Sequence, residues 1–362
     1  MIRTAIIGVG NCASSLIQGI HYCRTKGDSA VGVPFPKLGP YAAGDIEIVA
    51  AFDIDGRKVG KDLSEAVFAE PNCTTIFQPS LPRMNVSVGR GPSLDGMTAF
   101  LGNQPPHRSF VPSTAAELSA ADVVAALKAA RTEVVINFLP VGSQQATEFY
   151  AGCALEAGAA FVNAIPVFLA SNTTWANAFR QRGLPILGDD FKAQVGATIL
   201  HRTLAHLFDM RGAVLDRSYQ LNVGGNTDFL NMMDHNRLLS KRESKTEAVQ
   251  SALENRLSDE NVRIGPSDYV PWLNDQKVGY VRLEGRLLGG VPMSIEVRLS
   301  VEDSPNAAAM AMSAIRCARI ALDRKLSGAI WEASAFLFKH PPRQVPDDEG
   351  QRLLVDFAEG RL

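Results

Sequence analysis

The chain has 362 residues, 46% of them hydrophobic and 20% charged, with a formal net charge of −2. That balance describes an ordinary globular protein of about two domains and excludes a disordered or fibrous chain. It also gives no global reason to expect nucleic acid or an anionic membrane as partner, so any handling of anions has to be local.

Residues 2–7 form a β-prone run that leads directly into Gly8, Val9 and Gly10, and residues 14–20 read as a helix. Residues 21–45 hold several Gly and Pro and read as an inserted loop. A second strand is expected over 46–52, ending at Asp53. Residues 69–115 are rich in Pro, Asn, Ser and Gly, include RGPSLDG at 90–96, and read as a long excursion from the sheet. Helices over 120–130 and 146–157 then alternate with strands over 133–138, 160–164 and 184–187, with a turn at 139–144. Such alternation implies a parallel sheet covered on both faces. The texture changes near residue 196. A helix over 197–210 precedes a β-like run at 218–223, the polar segment GGNTDFLN and a charged helix around 240–256. Residues 278–287 and 292–301 alternate on either side of Gly289–Gly290, as an antiparallel hairpin would. A long apolar-periodic helix over 307–322 is expected to return to the first domain.

The five cysteines, Cys12, Cys23, Cys73, Cys153 and Cys317, are scattered and form no CxxC pair, which fits a reducing compartment. The opening MIRTAIIGVG reaches glycines too soon for a signal peptide, and no window approaches the roughly 20 apolar residues of a membrane span. The expectation is a cytoplasmic protein.

GVGNCA at 8–13 follows the first strand and opens a helix. Its first glycine permits the tight turn, its second lets the backbone approach a pyrophosphate, and Ala13 stands at the third position, where helix and strand pack closely. The pyrophosphate would sit on the helix N-terminus. Asp53 stands where an acid bonds the adenosine ribose hydroxyls and repels a 2′-phosphate, which favours NAD over NADP. The excursion at 69–115 is expected to line this cofactor cleft. Elsewhere, Lys241 and Lys245 sit four apart and would share a helix face. On residue type alone the solvated-face reading is favoured for them, and Lys192, Lys277 and Lys339 are unremarkable on the same basis. Asp189–Asp190 could be metal ligands, a pair beside the nicotinamide, or a polar strand end. Asn222, Asn226 and Asp228 lie in NVGGNTD, where glycines let the backbone approach a ligand or simply form a turn.

Taken together these segments resemble the myo-inositol-phosphate synthase family, in its compact prokaryotic form. The resemblance runs in order through GVGNCASSL, AAFDID, RGPSLDG, LPVGS, NAIPVF, GDDFKAQVGAT, LNVGGNTDFLN, SKRESKT, IGPSDYVPWL, EDSPN and SAFLFK, and so covers nearly the whole chain. It implies an α/β fold: a Rossmann-like doubly wound parallel sheet with an inserted β-rich α+β catalytic and oligomerisation domain. The expected division is 1–195, 196–304 and 305–362, the last returning to the Rossmann domain. The activity implied is a redox-neutral isomerisation of the sugar phosphate glucose 6-phosphate. Its C5 is oxidised by NAD, C6 loses a proton, the enolate attacks C1, and the same cofactor reduces the ketone to give an inositol phosphate.

The resemblance places catalytic lysines on Lys241, Lys245, Lys277 and Lys339. Lys245 and Lys339 would serve proton transfer and the C5 oxygen, Lys241 and Lys277 the phosphate and aldehyde oxygen. It adds Asp228 and Asp303 as catalytic carboxylates. Cofactor contacts would come from Gly8, Gly10, Asn11, Cys12, Asp53, Pro140, Gly142, Ser143 and Asp189. Substrate contacts would come from Asn222, Asn226, Lys192 and Asp268. A homotetramer is implied, as is a divalent or monovalent cation of open identity. Residues 97–115 diverge from the family pattern, which keeps a second reading in view: a paralogue closing a five-membered ring from fructose 6-phosphate. A sugar-phosphate dehydrogenase is a third.

Overall fold

The computed structural model describes residues 1–234, 237 and 239–362, with the side chains of 239, 241 and 242 left aside. The strand Ile2–Ile7 is buried on both faces except at Arg3, which is half-buried, as suits a central parallel strand. Seven strands form its sheet, in the order Gly328–Ala329, Pro185–Leu187, Ala160–Asn163, Val134–Asn137, Ile2–Ile7, Ile46–Asp53, Val88–Arg90. All six pairings are parallel. The chain leaves Ile2–Ile7 first toward Ile46–Asp53 and later returns on its other side with Val134–Asn137. Ile2–Ile7 therefore borders the topological switch point, where doubly wound sheets bind ligands.

Helices cover both faces. On one, Leu16, Ile17 and Ile20 of Asn11–Lys26 share a core with Ala311, Ile315 and Ala318 of Asp303–Asp323. These two helices meet at Gly19, where an added Cβ would touch the Met312 methyl at 3.5 Å. On the other face Val123, Leu127, Ala151 and Phe179 pack from Ala120–Ala129, Gln144–Ala157 and Thr173–Gln181.

A second sheet has the order Val262–Tyr269, Val214–Gly224, Gln276–Arg286, Pro292–Glu302. Its first pair is parallel and the others antiparallel. Ala205 and Phe208 of Ala197–Met210 and Val249 of Leu239–Gln250 pack on one face, against Ile264, Val281 and Leu283. The opposite face exposes Tyr219, Leu221 and Tyr280.

Several elements differ from the sequence expectation. The first helix continues to Lys26, so the insertion begins later and carries a small hairpin, Lys37–Leu38 with Tyr41–Ala42. The excursion at 69–115 contributes the edge strand Val88–Arg90. Strand Val262–Tyr269 and helices Thr173–Gln181, Trp331–Leu337 and Asp347–Ala358 were not expected.

Candidate active site

Gly8 leaves the first strand with φ of +86°, and a Cβ there would lie 2.8 Å from the Phe138 carbonyl oxygen. Only glycine fits such a position. Gly10 precedes the helix Asn11–Lys26 with no side-chain cap, and a Cβ on it would meet nothing within 4 Å. The result is an open cradle at a helix N-terminus, suited to an anion. Beside it the Asp53 carboxylate accepts from the backbone N–H of Val9 at 2.6 Å and of Asp55 at 2.8 Å. Asn11 Oδ1 accepts from the N–H groups of Cys73 (2.7 Å) and Thr74 (3.1 Å), tying that stretch to the start of the helix. Burial, aided by Asp275 and Asp303, pushes the Cys12 thiol up to about 12, so it packs and does not ionise.

Gly8, Gly10, Asn11, Cys12, Asp53 and Pro140 all line one cleft of about 1700 Å³, its open mouth included. Pro92, Ser93 and Gly96 of RGPSLDG wall its Asp53 end, together with Phe110 from the divergent segment and Tyr150. An open glycine cradle with a carboxylate at the neighbouring strand end fits an adenine dinucleotide. Gly142 and Ser143 are not among the described residues that line the cleft. Arg237 covers their turn, donating to Ser143 Oγ at 3.1 Å and to the carbonyls of Val141 and Asp95, each at 2.7 Å.

The far end of the same cleft gathers Lys245, Lys277, Lys339, Asp228, Asp303, Asn222 and Asn226. Lys277 Nζ donates to Asp303 Oδ1 at 2.7 Å. Lys339 Nζ donates to Asp190 Oδ1 at 3.0 Å and to the Phe191 carbonyl. Ser244 Oγ donates to the other Asp190 oxygen at 2.7 Å, and Lys245 beside it is 3% exposed. Asn226 caps the helix Thr227–Asn231 by accepting from Phe229 N–H at 3.1 Å, while its Nδ2 donates to Asp275 Oδ1 at 2.9 Å. Asn222 Nδ2 donates to the Gly265 carbonyl at 2.9 Å, and its Oδ1 accepts from Gln220 Nε2 at 3.2 Å. Beneath them His201 is buried between Ser218 and Gln220, and burial lowers its pKa to about 4, so the ring is neutral. Gly196 precedes the helix Ala197–Met210 without a side-chain cap, and Gly196, Ala197 and Thr198 line the cleft. The N–H groups of that first turn have no intrahelical acceptor.

Three further expected residues have other surroundings. Asp189 is wholly buried and takes five donors: Asn163 Nδ2, Ser171 Oγ, and the N–H groups of Leu169, Ala170 and Ser171. Burial pushes its carboxyl up to about 6, and those donors oppose the rise. It organises the 169–171 turn, while its neighbour Asp190 faces the cleft. Lys192 lines the cleft, but its Nζ is committed to the Ala335 carbonyl and Asp347 Oδ1, each at 2.8 Å. Burial and the adjacent Arg202 lower its pKa to about 8. Asp268 is exposed on strand Val262–Tyr269, outside the cleft, and accepts from Tyr269 N–H. The Lys241 side chain lies outside the described residues.

Sequence reasoning missed Asp275 and Lys58, and named Asp190 only within a pair whose role stayed open. Asp275 is wholly buried and accepts from Asn226 Nδ2, Ser304 N–H (3.0 Å) and Ser304 Oγ (2.8 Å). Burial first, then Asp303, pushes its carboxyl up to about 6. One signal was available: Asp275 lies two residues before Lys277, a spacing that puts both on one side of an extended chain. Among the described residues no group of three or more His, Cys, Asp or Glu side chains is arranged to hold a metal ion.

A glycine cradle at the switch point of a doubly wound sheet, sharing one cleft with three lysines, defines a dinucleotide-binding enzyme for an anionic substrate. Within that class, the chain belongs to the inositol-3-phosphate synthase family. It is 51% identical to inositol-3-phosphate synthase of Mycolicibacterium smegmatis, over 99% of this chain and 98% of that one. It is 52% identical to that of Corynebacterium glutamicum, over 98% of each chain. The Myo-inositol-1-phosphate synthase family profile matches residues 196–304. Among solved structures, that of Ari2 matches with a TM-score of 0.79 at 33% identity, covering 99% of both chains. A myo-inositol-1-phosphate synthase-related protein from Thermotoga maritima shares the fold, with a TM-score of 0.81 at 24% identity over 99% of this chain and 98% of that one. The chain is an enzyme of the inositol-3-phosphate synthase type.

Proposed function

We propose that this chain converts glucose 6-phosphate to an inositol 3-phosphate with no net redox change. The observation that carries the reading is the meeting of Lys245, Lys277 and Lys339 with the glycine cradle in one cleft. Held on that cradle, NAD supplies a reversible hydride acceptor for C5 of the sugar. The remaining work falls to the protein's own side chains. The uncapped start of Ala197–Met210, with Lys277 nearby, binds the phosphate through its N–H groups and helix dipole. Lys339, fixed by Asp190, holds positive charge against the C5 oxygen while the C6 proton leaves, and Lys245 serves that proton transfer. Lys277, fixed by Asp303, and Lys241 stabilise the C1 oxygen as the C6–C1 bond forms. The carboxylate partners keep the ammonium groups charged and oriented, so little reorganisation is needed at either step. Asp228, Asn222 and Asn226 supply polar contacts around the sugar.

The exposed apolar face of the second sheet, with Tyr219, Leu221 and Tyr280, supports assembly into a homotetramer, which light scattering on the eluted protein tests directly. Among the described residues no helix is long and apolar enough to cross a membrane.

Incubation with NAD⁺ and glucose 6-phosphate, followed by ³¹P and ¹H NMR, is expected to yield a cyclitol phosphate. Turnover confined to fructose 6-phosphate moves the assignment to a five-membered ring, and an acyclic product with stoichiometric NADH moves it to a dehydrogenase.

A further inference from the structure

The second strand ends on Asp53, and Asp55, Arg57 and Lys58 follow it. Asp55 is wholly buried and holds Arg57 at both oxygens, Nε on Oδ1 at 2.9 Å and Nη2 on Oδ2 at 2.5 Å. Arg57 also donates to the carbonyls of Pro106 and Ser109, each at 2.7 Å, which fixes the stretch that carries Phe110. That pair is tied to the 106–111 stretch and is structural.

Lys58 is different. It is 1% exposed, yet among the described residues its ammonium makes one hydrogen bond, at 3.0 Å to Asn72 Oδ1. Both Asp53 and Asp55 act on its charge, but neither forms an ion pair with it. Asn72 Nδ2 in turn donates to the Val9 carbonyl at 3.1 Å, while Val9 N–H donates to Asp53. The middle residue of the glycine loop is thus held from one side by Asp53 and from the other by the asparagine that carries Lys58. Lys58, Asn72, Asp53, Gly8 and Gly10 line the same stretch of cleft.

A buried ammonium with two of its three N–H groups unfilled is costly unless a ligand brings acceptors. Asp53 has the opposite need: it only accepts, and each of its oxygens has one backbone donor and spare lone pairs. A vicinal diol satisfies both at once, its O–H groups donating to the carboxylate and its oxygens accepting from the ammonium. We propose that Lys58 is a cofactor-binding residue that holds the adenosine ribose hydroxyls opposite Asp53. It follows that Asp53 alone excludes a 2′-phosphate, because the cation such a group needs is already in place.

This rests on the NAD reading above, and titration calorimetry separates the two. Wild-type protein that binds no NAD⁺ defeats both. Where wild type binds NAD⁺, Lys58→Met should bind it about ten- to a hundredfold more weakly. Unchanged affinity overturns the proposal and leaves the NAD reading standing. Asp53→Ser keeps Lys58 in place and tests the idea even if Lys58→Met fails to fold. It should gain NADP⁺ affinity by about tenfold or more over wild type. No gain, or an equal gain in Asp53→Ser/Lys58→Met, overturns the proposal.

Discussion

At the cradle end of the cleft, Gly8, Gly10, Asn11 and Asp53 come from one strand–turn–helix and the strand beside it. At the lysine end, Asp190, Lys245, Lys277, Asp303 and Lys339 come from five separate stretches of chain. The first end works through backbone shape: a positive φ, an unfilled Cβ position and a helix start. The second works through charge, with Lys277 and Lys339 each held by a carboxylate within 3.0 Å. On the proposed function, shape determines what binds, whereas the fixed charges determine how fast the bound sugar reacts. Mutations at the two ends should therefore separate affinity for the dinucleotide from turnover.

The largest effect is expected at the lysines. Lys339→Ala or Lys245→Ala should lower kcat by about 10³-fold, the scale for removing a preorganised electrostatic donor. NAD⁺ affinity in the same variants should stay near wild type by calorimetry. A matching loss of NAD⁺ binding breaks the proposed separation.

Next comes acid stability beneath the lysine end. Burial lowers the His201 pKa from 6.5 to about 4, so the folded state favours the neutral ring. The stability this gives is present above about pH 6.5 and is lost as pH falls through about 4, roughly 3 kcal/mol in all. His201→Gln should show a shallower loss of thermal stability between pH 6.5 and 4, and a curve parallel to wild type contradicts the assignment.

At the cradle end, Gly8→Ala has to place a Cβ 2.8 Å from the Phe138 carbonyl oxygen at positive φ. The strain, about 1–3 kcal/mol, should appear in NAD⁺ affinity and leave glucose 6-phosphate binding intact. The smallest effect is expected for Asp303→Asn, which weakens the hold on Lys277 but leaves the ammonium. Its kcat should fall about tenfold, the scale of one charged hydrogen bond. A loss as large as that at Lys339 makes Asp303 a participant, not a support.

The contrast between the ends also governs what could be read in the sequence. The cradle was legible because strand, glycines and helix are contiguous. Helix Ala197–Met210 and the hairpin around Gly289–Gly290 were legible because period and turn residues agree. Val88–Arg90 was not, since three residues in a Gly-rich stretch carry no period and their pairing with Ala51–Asp53 is long-range. Val262–Tyr269 was masked by Gly265 and Pro266, tolerated because the strand lies at a sheet edge and its register shifts between Pro266 and Asp268. Thr173–Gln181 is mostly polar and buries only Ala176 and Phe179, although its Asn172 cap was there to be read. Asp347–Ala358 likewise carried the signal of Asp347, Asp348 and Glu349 in its first turn. At the lysine end only the family resemblance singled out Lys277 and Lys339. Asp275 escaped, and the role of Asp190 stayed open, because nothing local tells a carboxylate that steadies a lysine from one that caps a strand.

The central claim is that oxidation and reduction occur on one carbon within one turnover. Glucose 6-phosphate deuterated at C5, incubated with sub-stoichiometric NAD⁺, tests it most directly by NMR and absorbance at 340 nm. The account predicts an inositol phosphate that retains deuterium at that carbon, with no accumulation of reduced cofactor. Reduced cofactor rising in step with an acyclic, deuterium-free product contradicts it.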